Sequence, residues 1–62
     1  MKRSEKMAAK LYLRGALAGD PVSANEVGRM YRWGIGVTKD PGIAKIWYDW
    51  AESRGYKEKD GG

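Results

Sequence analysis

The stretch most able to do chemistry is Trp33-Gly34-Ile35-Gly36-Val37-Thr38-Lys39-Asp40-Pro41. Glycines free backbone N–H groups to face an anion, and such loops cradle phosphates. A phosphate loop, however, follows a strand. It carries further glycines, and it opens the next helix with Lys-Ser/Thr or a third glycine. Here the preceding residues have helical spacing, and Thr38-Lys39 stands in the reverse order. The alternative explains each residue as part of a helix–helix joint. Gly34 stops one helix, Gly36 permits a positive φ, Val37 plugs the crevice, and Asp40 caps the next helix.

The other reactive side chains give no catalytic set. Of the four aspartates, Asp20 and Asp40 are taken as caps, and Asp49 and Glu52 are a surface pair with no special neighbour. Three serines without a histidine make no conventional nucleophile–base pair. Without cysteine or histidine there is no zinc site of the usual type. No acidic loop has calcium-binding spacing. The expectation is a non-enzymatic protein with no cofactor and no metal.

Three helices must position these residues. Ser4 is an N-cap candidate, and Met7, Ala8, Leu11, Gly15 and Ala18 share a helical face behind it. Gly19 is the stop. Asp20-Pro21 reads as a cap followed by a first helical residue, since proline lacks only an N–H that would be unpaired there. The second helix runs from about 21 to 33, with Ala24, Val27, Gly28 and Tyr31 inward. Asp40-Pro41 repeats the start signal. The third helix runs to about 54, with Ala44, Trp47, Tyr48 and Ala51 inward and Gly55 as stop. The first helix spans about 4–18, and residues 56–62 read as a polar, frayed tail. Nothing reads as a strand pair, so the fold class is all-α, a single domain of three antiparallel helices.

With 62 residues, the chain is a small domain that buries roughly 60% of its unfolded surface. No disulfide can staple it. The formal charge of +4 favours acidic partners and solubility. Lys10 and Arg14 interrupt the N-terminal apolar residues, which excludes a signal-peptide core. No run approaches the ~20 apolar residues of a membrane span. A soluble, cytoplasmic protein is expected.

The first and third helices echo each other at one constant offset of 36 positions. Ser4 aligns with Asp40, Ala8 with Ala44, Leu11 with Trp47, Tyr12 with Tyr48, Gly15 with Ala51, and Gly19 with Gly55. Small residues fall where helices approach closely and large ones where grooves are filled. The pattern Ala24-x-x-Val27-Gly28-x-x-Tyr31, then Gly34-x-Gly36-Val37-x-x-Asp40, then Ala44-x-x-Trp47-Tyr48-x-x-Ala51-Glu52-x-x-Gly55 resembles the Sel-1-like repeats, relatives of the tetratricopeptide repeats. It covers Asp20 to Gly55 as one repeat, and Met7 to Gly19 as the second helix of a preceding one. The family usually has leucine where Val27 stands and basic or polar residues where Trp50 stands. The resemblance implies a right-handed α-solenoid fragment that acts as an adaptor between proteins, with no catalytic residues to carry over.

The echo also isolates apolar residues that the repeat does not need. Ile46 and Trp50 stand where the first helix has Lys10 and Arg14, and with Ile43 they form a second strip beside the core face. Leu13 and Leu17 stand where the third helix has Asp49 and Ser53. Solenoids usually stack about three or more repeats between polar caps. The face of the third helix with Trp47 and Trp50 is therefore expected to lie where a next repeat would dock. Tryptophan is a frequent interface anchor. The expectation is docking on a larger protein, or self-association as a dimer, through Ile43, Ile46, Trp47 and Trp50, with Leu13 and Leu17 as a second patch. A chain this short would suit an adaptor or an inhibitor, such as a phage- or mobile-element-encoded modulator of the anti-CRISPR kind. The alternative uses Arg3, Lys6, Lys10 and Arg14, a basic stripe on the first helix, to bind nucleic acid. No aromatic is interleaved with that stripe as a single-strand platform would need.

Overall fold

The computed structural model describes residues 4–56. It is all-helical: α1 is Glu5–Leu17, α2 is Pro21–Trp33 and α3 is Pro41–Ser53, with no strand among the described residues. Each helix begins as its sequence dictates. Ser4 Oγ accepts from the Met7 N–H, and Asp20 and Asp40 accept from the N–H groups just beyond their prolines. Each also ends alike, with a backbone bond reaching five residues back: Asp20 to Gly15, Ile35 to Met30, and Tyr56 to Ala51. This satisfies carbonyls that the helix itself leaves unpaired. The first and last of these bonds repeat at the 36-residue offset.

The joint between α2 and α3 is built from backbone geometry. Gly34 sits at φ 70° as the left-handed cap of α2, and Gly36 at φ 74° makes the second bend. The Asp40 N–H then donates to the Tyr31 carbonyl at 2.8 Å, which closes the loop. Gly36 also lies against the backbone of Glu5, so a side chain there would run into the first turn of α1. The joint thus holds α1 as well as linking α2 to α3.

α2 packs against both other helices, more extensively against α3. Ala16, Ala24, Val27 and Ala51 form the core, with Leu13, Tyr31, Trp47, Trp50 and Tyr56 packed around it. Small residues set the close approach: Gly28 lies under the Tyr48 ring, where an added Cβ would be 2.9 Å from ring carbons. Asn25 is the one buried polar residue among those described, and its amide donates to the Tyr56 hydroxyl at 3.3 Å. Tyr56 is therefore part of the folded body rather than of a frayed tail. The rest of the expected tail, 57–62, lies outside the described residues.

The inner face of α1 differs only in part from the expected one: Gly15 lies against Ser23 of α2 as a close-approach residue. Ala9 and Ala16 are buried and Leu13 packs on the core, whereas Met7 and Leu11 are 55% and 57% exposed. Leu11 and Leu13 are two residues, about 200°, apart on a helix, so only one can face inward. α1 has one neighbour, α2, and it lies on the Leu13 side. Leu13 is thus a core residue and not surplus.

Candidate functional site

Trp47 and Trp50 are one turn apart on α3, with rings 5.9 Å apart and edge-on at 71°. Both are half-buried, and both turn toward α1. Together with Ile46, and with Ala16 and Leu17 of α1, they line a cleft of about 280 Å³. Leu17 and Ile46 stand on its rim, 71% and 65% exposed. The Arg54 guanidinium stacks over the Trp50 ring at 4.4 Å. That contact places a cation beside the cleft and keeps the ring oriented.

A second cleft, about 240 Å³, opens where Lys6, Ala9, Lys10 and Leu13 of α1 face Val27, Met30 and Tyr31 of α2 and Gly36-Val37 of the joint. Leu13 in this cleft and Ala16-Leu17 in the other occupy successive turns of α1. The two clefts therefore line up along one side of α1.

The two apolar strips expected to be separate are thus partly brought together: Leu17 joins Ile46, Trp47 and Trp50, and Leu13 flanks them through the core. Ile43, 36% exposed on the first turn of α3, lines neither cleft. The face of Trp47 and Trp50 is not the outer end of the helix array. It looks back at α1, and the side of α3 turned away carries exposed Lys45, Asp49 and Glu52, with Lys45 and Asp49 paired at 3.3 Å. Of the basic stripe, Lys6, Lys10 and Arg14 are exposed on α1, and the two lysines line the second cleft. Arg3 lies outside the described residues. Met30, Tyr31 and Val37 are cleft walls that the sequence did not mark as site residues. Met30 follows Val27 by three positions, a helical-face signal, but only the position of α1 makes that face a cleft.

Among the described residues no group of three Asp, Glu, His or Cys side chains could hold a metal, and no helix is long and apolar enough to cross a membrane. Compared with known proteins, the chain matches no family model, no curated protein and no solved structure.

Proposed function

We propose that the protein is a binding module that docks on a larger protein, as an adaptor or an inhibitor, through the apolar cleft between α1 and α3. The observation that carries this reading is the grouping of Leu17, Ile46, Trp47 and Trp50 from two helices around one cleft. Exposed leucine and isoleucine beside packed tryptophans form a patch that water solvates poorly and that a partner would cover. The Sel-1-like pattern of Ala24 to Gly55 agrees with a module whose work is contact rather than catalysis. A phage- or mobile-element-encoded modulator acting in the cytoplasm is one setting for such a module.

The test uses the two exposed rim residues, because changing them leaves the core untouched. A Leu17→Glu, Ile46→Glu double variant should keep the helical circular dichroism of the wild type. It should lose the partners that the wild type captures from its source cell. Unchanged capture by the variant overturns the cleft as the docking site. Sedimentation of both proteins reads self-association in the same experiment.

A second reading rests on Lys6 and Lys10 lining a cleft beside the Tyr31 ring, an arrangement open to a nucleic-acid strand. Phosphate attraction is strongest at low salt. No affinity for single-stranded or duplex DNA at about 50 mM salt removes this reading.

A further inference from the structure

We infer that the occupant of the aligned clefts is an acidic amphipathic helix of the partner protein, about three turns long. The inference rests on the docking reading above and names what docks.

The sign of the partner comes from the cations. Lys6, Lys10 and Arg14 follow each other at four-residue intervals on α1, so they repel one another along one face. None has a carboxylate partner among the described residues, whereas Arg29 is paired with Glu26 and Lys45 with Asp49. Arg54 adds a fourth cation at the Trp50 end. No carboxylate lines either cleft. An anionic partner removes that repulsion and complements the rim. A cationic or neutral one leaves it in place.

The shape of the partner comes from the spacing. Leu13 and Leu17 are one turn apart, as are Ile46 and Trp50. A helix laid between them offers apolar residues at i, i+3/i+4 and i+7 with that same repeat. A segment added as a β-strand would need a sheet edge to pair with, and no described residue is in a strand. From Lys6 to Leu17, at about 1.5 Å per residue, the seat is about 16 Å long, which is three helical turns.

The experiment selects from a displayed library of sixteen-residue peptides, helical and extended, on the 62-residue protein, with charge and apolar spacing both varied. Enriched sequences should be acidic, with apolar residues at i, i+3/i+4 and i+7. Their affinity, read by fluorescence anisotropy, should fall on the order of tenfold in a Lys6→Glu, Lys10→Glu variant, as two reversed rim pairs would give. Affinity should be lost in the Leu17→Glu, Ile46→Glu variant. All these positions are exposed, and circular dichroism confirms that each variant is folded. Enrichment of basic or extended peptides that still need Leu17 and Ile46 overturns the acidic helix but leaves the docking reading standing. The acidic helix is likewise overturned if wild type sediments as a dimer and Leu17→Glu, Ile46→Glu as a monomer, because the occupant is then a second copy. No enrichment, or enrichment indifferent to both variants, overturns the inference and the docking reading together. DNA binding that is lost in Lys6→Glu, Lys10→Glu, without peptide enrichment, replaces both with the nucleic-acid reading.

Discussion

α1 and α3 carry the same pattern and meet different surroundings. In α3, Ala44 and Ala51 are buried against α2 while Trp47 and Tyr48 are half-buried. Their counterparts in α1 are Ala8, Leu11, Tyr12 and Gly15, and there Leu11 and Tyr12 are exposed. α1 meets α2 mainly through Ala9, Leu13 and Ala16, whose counterparts in α3 are the exposed Lys45, Asp49 and Glu52, while Gly15 lies against Ser23 of α2. So each helix has two possible inner faces about a third of a turn apart. α2 covers one face on α3 and mainly the other on α1. A repeated pattern fixes local helix geometry, while the neighbouring helix decides which face is buried.

The largest effect expected is at the joint, which ties α1 to the pair α2–α3. Gly36→Val places a β-branched side chain at φ 74° and against the backbone of Glu5. The two faults together should cost about 3 kcal/mol or more. A domain of this size has a total stability on the order of 3–9 kcal/mol, so urea unfolding should shift drastically. Gly55 has a positive φ of 96° but nothing near a new Cβ. Gly55→Ala should cost only about 1 kcal/mol. If the two variants unfold alike, the joint does not clamp α1.

Next in size are equivalent alanines. Ala44 is buried, and Ala44→Leu overpacks the α2–α3 contact by three carbons, at about 2–3 kcal/mol. Ala8→Leu, the equivalent change on the less covered face of α1, should change stability by less than about 0.5 kcal/mol. Comparable losses would mean that the Ala8 face is covered after all. The leucines then test which side of α1 faces in. Leu13→Ala should cost about 1.5–2 kcal/mol for a half-buried side chain, and Leu11→Ala less than about 0.5 kcal/mol. A reversed order would restore the Leu11 face as the inner one.

The helix boundaries were legible because they are written in local chemistry. Ser4, Asp20-Pro21 and Asp40-Pro41 mark starts, and Gly34 marks an end, with no knowledge of neighbours. The inner faces of α2 and α3 were legible for a related reason: each meets a neighbour along the face its small residues define. On α1 both Ala8/Leu11/Gly15 and Ala9/Leu13/Ala16 satisfy helical spacing, so periodicity alone could not choose between them. The site was half legible. Its surplus apolar residues stand out against the echo, but their meeting across α1 and α3 depends on tertiary placement. The role of Tyr56 was hidden because its contact, Asn25, is 31 positions away in sequence.

The smallest effect expected separates the starts of the two helices. The Asp40 carboxylate accepts from two N–H groups, Gly42 at 3.1 Å and Ile43 at 3.2 Å. Its charge also lies at the positive end of the α3 dipole. The Ser4 hydroxyl accepts from one, Met7 at 3.2 Å, and is neutral. Both caps are exposed, so neither removal leaves a buried orphan. Asp40→Ala should therefore cost about 1–1.5 kcal/mol and Ser4→Ala about 0.5 kcal/mol. Added salt screens the dipole term only, so the gap between the two variants should narrow as ionic strength rises. Because Asp40 also donates its backbone N–H to Tyr31, its cap stands next to the joint. Asp40→Asn keeps the acceptor oxygen and drops the charge. Its stability in urea should fall between wild type and Asp40→Ala. An Asn variant no better than Ala would assign the whole difference between the two helix starts to charge rather than to hydrogen bonding.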